Sequence, residues 1–502
     1  MKNIINIVNF IRGCDPRADY DLKEAVCEQI KIAEKYNFPM TFLYQYDAMI
    51  QPEYVDLLKG KENFELGIWF ELSRWITEKV GLKWRGRDGF DWDWHSCVDL
   101  TEGYTVSERM LLIDEAMRYF KETFGYYPKT VGSWVLDAFS VNYMYEKYDI
   151  DMVFICKEQW GTDGYSLWGG YYSEGYYPCR NNMLCPAQSA KEQINVPIFR
   201  MLGSDPVDQY MNGIGTAWQN VDSMEPVYPE SGANKKWTEW FLNEVFDNRN
   251  AGLNYCQAGQ ENAFGWAAMK DGYTMQAELF EKARSQGKIT FELAGETGRR
   301  FKKMYKNTPV SSTDAHKDGR SSFWYNSKYY RSSVYYNKGE ILIRDLTIFD
   351  ERYKERYLND ITTDESVFYD NLPLIDCFKW SDAENTGGMF FEYGGEIVSD
   401  AGDFKTVKND DESISVAVPS KHGDIVISYK EKSVDFSFPK PGFVMKTVMY
   451  KGRSTVKEYA GGEVHCEYEG FKYKIGLRGA ECLVHSGGFE FAVSGKSAGL
   501  VF

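Results

Sequence analysis

The first 305 residues or so alternate short, almost wholly apolar runs with longer segments whose apolar residues recur at helical spacing. The run Ile4–Ile11 is typical of a strand buried on both faces, and residues 21–36, which follow it, place Val26, Ile30 and Ala33 on one face of a helix. Strands buried on both faces occur in parallel sheets, in which a helical crossover joins each strand to the next. The alternation therefore predicts a parallel sheet with right-handed crossovers that closes, or nearly closes, into a barrel.

Seven or eight strands and six main helices follow from this pattern. The strands are predicted at residues 4–11, 38–44, 64–70, 130–136, 150–156, 196–202, 252–258 and 289–294. The helices are predicted at residues 21–36, 52–58, 106–124, 141–147, 237–248 and 273–286. We therefore predict an α/β fold that begins with a distorted (β/α)7-type barrel over residues 1–310 as the catalytic domain.

The pattern changes near residue 311. Residues 330–336 and 340–348 flank Asn337-Lys338-Gly339, which is typical of a hairpin with a glycine turn. Further short alternating runs follow, at residues 413–418, 424–429, 434–438 and 443–450. Residues 311–502 are therefore predicted to form a C-terminal antiparallel β-sandwich domain.

Length and composition narrow the functional classes. A chain of 502 residues is too long to fold around a single hydrophobic core of ordinary size, so at least two domains are expected. Its net charge of −16 argues against nucleic acid and anionic membrane surfaces as partners. The ten cysteines form no CxxC pair, which favours free thiols in a reducing compartment, and we expect a cytoplasmic protein. The sequence contains neither a signal peptide nor a phosphate-binding loop, and no apolar run reaches the roughly 18 residues of a membrane span.

Three carboxylates follow predicted strands, where barrel enzymes carry their catalytic groups: Glu71, Asp137 and Glu261. Two carboxylates that flank a sugar are the minimal set for cleaving a glycosidic bond. We predict Asp137 and Glu261 as this catalytic pair. The structural alternatives are a helix N-terminus for Asp137 and a surface salt bridge to Arg74 for Glu71.

Further side chains near strand ends suit sugar binding, because aromatic rings cover sugar faces while charged and amide groups bind hydroxyls. The predicted substrate-binding residues are Arg12, Asp15, Trp69, Glu71, His95, Trp134, Gln159 and Trp160. A metal site built on His95 would need Asp15, Asp93 or Asp99 as further ligands, and a lone histidine more often only forms hydrogen bonds. We therefore predict no metal and no other cofactor.

Over roughly its first 300 residues the chain resembles the glycoside hydrolase and polysaccharide deacetylase superfamily, and within it the family-57 type of α-glucan-active enzymes. Trp134-Val135-Leu136-Asp137 resembles the strand that carries their nucleophile, residues 261–265 resemble their acid-bearing segment, and residues 67–71 resemble their Gly-x-x-Glu segment. The resemblance implies a seven-stranded barrel, a retaining and metal-independent mechanism, and a β-rich C-terminal domain. As a whole the chain also resembles a bacterial family with paired domains of unknown function.

Together these features predict a carbohydrate-active enzyme, most simply a retaining glycoside hydrolase or transglycosidase. Two alternatives stay open: a metal-dependent carbohydrate deacetylase and a non-catalytic sugar-binding protein. The expected partner is an oligosaccharide or glycoside, without nucleic acid or membrane. The sugar, its linkage and the oligomeric state stay open.

Overall fold

The computed structural model describes residues 3–172, 175–247, 249–485 and 487–502. Its helices are α1 Leu22–Tyr36, α2 Tyr46–Met49, α3 Pro52–Leu58, α4 Arg74–Lys79, α5 Ser96–Asp99, α6 Val106–Phe124, α7 Ala138–Tyr148, α8 Lys235–Asp247, α9 Trp266–Ser285, α10 Ala294–Met304 and α11 Cys377–Trp380. The strands up to residue 291 are β1 Ile4–Ile11, β2 Met40–Tyr44, β3 Phe64–Trp69, β4 Thr130–Gly132, β5 Met152–Ile155, β6 Gln159–Thr162, β7 Tyr165–Leu167, β8 Gly175–Tyr176, β9 Pro178–Cys179, β10 Asn182–Pro186, β11 Ile198–Arg200, β12 Arg249–Ala251, β13 Tyr255–Ala258 and β14 Thr290–Phe291.

The later strands are β15 Ser311–Lys317, β16 Arg320–Asn326, β17 Tyr330–Asn337, β18 Glu340–Ile348, β19 Val367–Tyr369, β20 Leu372–Asp376, β21 Gly388–Tyr393, β22 Glu396–Ile397, β23 Lys405–Lys408, β24 Ile414–Val418, β25 Ile425–Lys430, β26 Ser433–Ser437, β27 Phe443–Val448, β28 Val456–Ala460, β29 Glu463–Tyr468, β30 Phe471–Arg478, β31 Ala480–His485, β32 Gly488–Val493 and β33 Ser497–Val501. The predicted helix at 237–248 extends to residue 248, which lies outside the described residues.

The N-terminal half is built on a curled parallel sheet. Its strand order is β13-β1-β2-β3-β4-β5-β11, with every neighbouring pair parallel, and β14 also pairs with β1 in parallel. All eight residues of β1 are buried, as expected for a central strand covered on both faces. The predicted parallel α/β architecture is therefore confirmed.

Backbone pairing does not close this sheet into a barrel. The free edge of β11 pairs with β8, which runs antiparallel to it. The edges β11 and β13 instead approach through side chains: the rings of Phe199 and Tyr255 lie 4.5 Å apart, and the Leu202 N–H donates to Gln257 Oε1 at 2.7 Å. The sheet is thus an open, curled half-barrel.

The predicted strand at 130–136 is shorter in the structure, because β4 ends at Gly132. The next residues leave the sheet while they hydrogen-bond to the end of β5: the Ser133 N–H donates to Phe154 O, and the Cys156 N–H donates to Trp134 O. Asp137 therefore lies five residues beyond the strand rather than at its end. There it becomes the N-cap of α7.

The C-terminal region consists of antiparallel sheets of eleven and eight strands. The predicted hairpin is confirmed as β17 and β18, with Asn337 paired to Glu340. The buried faces of the two sheets contribute to one hydrophobic cluster that includes Phe391 and Phe436. Two short strands cross the predicted boundary at residue 310, since β12 pairs with β15 and β19 pairs in parallel with β7.

All ten cysteines are free thiols, and seven of them are buried. Burial raises the pKa of several of these thiols, including Cys156, to about 12. Within the described ranges, no helix is both long and apolar enough to cross a membrane.

One buried ion-pair network joins the two halves of the chain. Arg331 of β17 is fully buried, and its guanidinium donates to Asp345 of β18 at 2.9 and 2.6 Å and to Glu158, just after β5, at 2.7 Å. A buried ion pair contributes little net stability, but breaking it leaves an uncompensated buried charge.

We expect Arg331→Met to lower the free energy of unfolding by about 3–5 kcal/mol, because Glu158 and Asp345 lose their shared cation. Urea denaturation followed by circular dichroism measures this change. Arg453→Met, at an exposed position of the same region, is the matched control and should stay within about 0.5 kcal/mol of the parent. Equal effects of the two substitutions would contradict the role of the network.

Candidate active site

A cavity of about 700 Å³ lies at the carboxyl ends of the parallel strands. Seven of the ten predicted site residues line it: Arg12, Asp15, Glu71, His95, Trp134, Gln159 and Glu261. The other three, Trp69, Asp137 and Trp160, are not among its lining residues. Ligand sites of open α/β sheets occur at this edge, so the position agrees with the general rule.

Arg12 is the centre of the cavity floor. It follows β1 directly, is 3% exposed, and its Nε and Nη2 donate to the two oxygens of Glu71 at 2.9 Å each. Nη2 also lies 3.0 Å from Glu261 Oε2, and Nη1 lies 3.4 Å from Asp15 Oδ2. Burial acts to lower the pKa of Arg12, but the negative charges of Glu261 and Glu71 raise it by a larger amount. The pKa therefore lies above the ordinary value of arginine, and the guanidinium stays charged. One cation thus holds three carboxyl groups in place.

The loop after β13 is fixed against the loop after β1. The side-chain Oδ1 of Asn262 accepts a hydrogen bond from the backbone N–H of Arg12 at 2.8 Å, and its Nδ2 donates one to the backbone carbonyl of Arg12 at 2.9 Å. Gly259 has a φ of +109°, and a Cβ there would lie 2.1 Å from the Val8 carbonyl oxygen, so only glycine fits this turn. These contacts place Glu261 beside Arg12.

The carboxyl groups of the cavity differ in acidity. Burial raises the pKa of Glu261 to about 7, with a further contribution from Glu71, while Arg12 lowers it. Burial also raises the pKa of Asp15, but hydrogen bonds from Arg17 and the charge of Arg12 hold it below its ordinary value. At neutral pH the cavity therefore contains one carboxyl group that is half protonated and another that is ionised, the combination that acid–base chemistry requires.

Aromatic side chains form much of the remaining wall. Trp92 covers the Arg12 guanidinium, whose Cζ lies 4.2 Å from the ring centroid, and Arg17 lies over both Trp92 and Trp94 at 5.1 and 5.0 Å. Trp134 lines the cavity and donates its indole N–H to Glu71 Oε1 at 2.7 Å. The loop that carries Trp92 and Trp94 thus contributes to the cavity, which combines flat apolar rings with polar groups.

Asp137 lies outside this cavity, and its carboxylate is fully occupied. It is 0% exposed, accepts hydrogen bonds from Ser140 N, Ser140 Oγ and Thr101 Oγ1 at 2.9, 2.6 and 2.7 Å, and lies 2.9 Å from Arg109 Nη1. These contacts cap α7 and neutralise Arg109. They agree with the structural alternative considered for Asp137, a position at the N-terminus of a helix.

Two predicted aromatic contacts also lie elsewhere. Trp69 is 1% exposed and stacks on Phe10 with ring centroids 4.0 Å apart, so it belongs to the barrel core. Trp160 belongs to β6, and its ring packs against those of Trp168 and Phe368. Tryptophans near strand ends thus divide between cavity and core, which their sequence positions do not distinguish.

The cavity also contains residues that did not emerge as site residues from the sequence: Arg17, Tyr20, Trp92, Trp94, Asp163, Glu225, Tyr228, Phe264 and Glu365 among them. Asp99, which the sequence offered only as a possible metal ligand beside His95, lines the cavity too. Asp163 lies in a hairpin turn, Glu225 in a long segment without regular structure, and Glu365 beyond residue 311. Of these residues, only Trp92 and Trp94 could have been recognised from the sequence as candidate site residues, because they lie two residues apart in a run dense in Trp and Asp.

The described residues do not offer the metal site that a deacetylase would need. His95 Nδ1 lies 3.9 Å from Asp93 Oδ1, and His95 Nε2 lies 3.7 Å from Glu365 Oε2. Asp93 is already bound by Arg87 at 2.6 and 3.0 Å. In the described ranges, no three His, Cys, Asp or Glu side chains come together in a way that could hold a metal ion.

Comparison with solved structures identifies the fold. A crystal structure of a putative glycoside hydrolase/deacetylase from Parabacteroides distasonis matches with a TM-score of 0.56 and 13% identity, over 75% of this chain and 92% of that chain. The chain shares its fold with this structure. The expected resemblance is thereby confirmed at the level of the fold.

More distant matches are a putative polysaccharide deacetylase from Mycobacterium smegmatis, with a TM-score of 0.37, 10% identity and coverage of 60% and 91% of the two chains, and a GH57 branching enzyme from Thermococcus kodakaraensis, with a TM-score of 0.29, 9% identity and coverage of 61% and 72%. No protein-family model matches the sequence, and no curated protein matches it either.

We expect Asp137→Asn to lower the free energy of unfolding by about 3–5 kcal/mol, since it removes the carboxylate that forms an ion pair with the buried Arg109. Asp149→Asn is the matched control, because Asp149 is the C-cap of the same helix and its side chain is 82% exposed. Urea denaturation should show a large loss for the first variant and less than about 0.5 kcal/mol for the second. A stable Asp137→Asn protein without activity would restore Asp137 as a catalytic candidate.

Proposed function

We propose that this protein is a carbohydrate-active enzyme that cleaves glycosidic bonds in this cavity, with Glu71 and Glu261 as its two carboxylates. The observation that carries the proposal is their shared contact with Arg12. Glu71 Oε1 and Glu261 Oε2 lie 2.9 and 3.0 Å from the same nitrogen, Arg12 Nη2. The two oxygens are therefore at most about 6 Å apart, which suits the separation of about 5–5.5 Å in retaining glycosidases better than the larger separation in inverting enzymes.

Glu261 is suited to the general acid. Its pKa of about 7 lies near neutral pH, so it can donate a proton to the departing glycosidic oxygen and later accept one from water. Its carboxylate is 8% exposed and its contact with Arg12 is not a well-aligned hydrogen bond, so it stays available to a substrate.

Glu71 is suited to the nucleophile. Arg12 and Trp134 fill the acceptor positions of Oε1, whereas Oε2 accepts only Arg12 Nε among the described residues and keeps a free lone pair. In a retaining reaction Glu71 would attack the anomeric carbon as the bond to the leaving oxygen breaks, and water would then release the sugar. Glu71 thus takes the role that the sequence assigned to Asp137.

We expect Glu261→Gln and Glu71→Gln each to reduce kcat/KM on aryl glycosides by about 10²–10⁴-fold, because each removes one of two carboxylates needed for bond cleavage. The leaving group separates their roles. A dinitrophenyl glycoside needs no protonation, so Glu261→Gln should retain far more activity on it than on a methylphenyl glycoside, whereas Glu71→Gln should lose both activities.

The control for this pair is Asp137→Asn, assayed per folded molecule, which should retain activity. Acetate release from N-acetylated sugars that stops on treatment with a chelator would instead favour the deacetylase alternative. Binding of glycosides without turnover by the parent protein would favour a sugar-binding protein.

The pKa of Glu261 also predicts a pH profile. The general acid must be protonated, and the protonated fraction of a group with a pKa of about 7 falls as the pH rises. We expect kcat/KM on a methylphenyl glycoside to fall about tenfold per pH unit well above pH 7. In Glu261→Gln this decline should disappear, and an unchanged decline would assign it to another group.

A further inference from the structure

The cavity carries far more negative than positive groups. Seven carboxyl groups line it, from Asp15, Glu71, Asp99, Asp163, Glu225, Glu261 and Glu365, against two guanidinium groups, from Arg12 and Arg17. Both cations are already engaged, since Arg12 contacts Glu71, Glu261 and Asp15, and Arg17 binds Asp15. A substrate thus meets uncompensated carboxyl groups.

Asp99 is the most isolated of these carboxyl groups inside the cavity. It ends helix α5, is 4% exposed, forms no ion pair within the described ranges, and its Oδ1 has no hydrogen-bond partner. The indole nitrogen of Trp92, another lining residue that is 1% exposed, is likewise without a partner. Buried polar atoms are costly to leave unpaired, so these two groups indicate that a polar ligand completes the site.

The groups that act on Asp99 come from several elements. Arg12 and Glu71 face it from the strand ends, and Asp93, Cys97 and Tyr104 belong to the surrounding loop. His95 is the N-cap of the same short helix, and its carbonyl accepts the backbone N–H of Asp99 at 3.1 Å. Burial, and then the charge of Glu71, raise the pKa of Asp99 well above its ordinary value, while the charge of Arg12 acts to lower it.

We propose that the substrate of this cavity is a glycoside with a free, unacylated amino group, and that Asp99 binds the ammonium. The proposal rests on the glycoside-cleaving function proposed above and names its substrate class. An ammonium offsets the surplus of carboxyl groups and pairs with the Asp99 carboxyl group, which has no ion-pair partner within the described residues, whereas a uronic acid or a sulfated sugar adds to the surplus. A neutral sugar satisfies the hydrogen bond but leaves the charge uncompensated.

Binding of the ammonium is coupled to a proton. An ammonium beside Asp99 favours the ionised carboxylate and so lowers the pKa of Asp99, and amine affinity should therefore rise with pH over the range in which Asp99 ionises, as long as the amine itself stays charged. Asparagine mimics the neutral form of Asp99 in shape but cannot ionise. Asp99→Asn therefore separates the charge interaction from the space that the side chain fills.

The test measures binding by calorimetry with S-methyl thioglycosides, which resist hydrolysis, of the 2-amino, 2-hydroxy and 2-acetamido sugars and of a uronic acid, in both anomers. We expect the parent protein to bind the 2-amino sugar at pH 7 about tenfold more tightly than the 2-hydroxy sugar, and the uronic acid most weakly. In Asp99→Asn the amino-to-hydroxy affinity ratio should fall to about one.

Glu365→Gln is the matched control, because Glu365 is also a lining acid but its side chain is 77% exposed. An equal fall of the ratio in this variant would overturn the assignment to Asp99. If Asp99→Asn does not fold, the parent protein still decides, since equal affinities for the 2-amino and the 2-hydroxy sugar at pH 7 contradict the proposal.

These binding results do not depend on turnover. Loss of the amine preference with intact cleavage of neutral aryl glycosides would refute only the substrate class. Amine binding without cleavage of any aryl glycoside would refute the proposed function.

Discussion

The contact of Arg12 with three carboxyl groups is the interaction on which the rest of the cavity depends. Glu71, Glu261 and Asp15 come from separate loops, and their mutual repulsion would separate them without a shared cation. Arg12 suits this position because its fork of donors holds Glu71 at both oxygens while a further contact reaches Glu261. The same contact keeps Glu71 and Glu261 at the short separation on which the proposed function depends.

The curled sheet supplies the frame for this contact. Its loops after β1, β3 and β13 converge because parallel strands end at the same edge, and the Arg12–Asn262 hydrogen bonds fix two of these loops to each other. The open side of the sheet is covered by chain segments from elsewhere. Glu365, beside strand β19, reaches the cavity because β19 pairs with β7, so residues beyond 311 contribute to the proposed catalytic cavity.

Much of the fold followed from local pattern. Buried runs such as β1 and the capped helix α6 were predictable because each buries a periodic set of apolar residues, and Thr105 and Glu108 form the capping box of α6. The short β4 was not, since residues 133–136 are as apolar as a strand but leave the sheet. That difference of four residues moved Asp137 from the expected strand end into a helix cap.

The sequence by itself determined the alternation of strands and helices, the change to antiparallel sheets, and seven of the ten predicted cavity residues, because these follow from hydrophobic periodicity and from polar groups at strand ends. Only the tertiary structure decided which carboxyl groups lie together. Asp137 and Glu71 both follow predicted strands in the sequence. In the structure Asp137 forms an ion pair with Arg109 in the interior, whereas Glu71 forms one with Arg12 in the cavity. The physical reason is that a carboxylate takes its role from the cations and solvent around it, and folding alone brings those together.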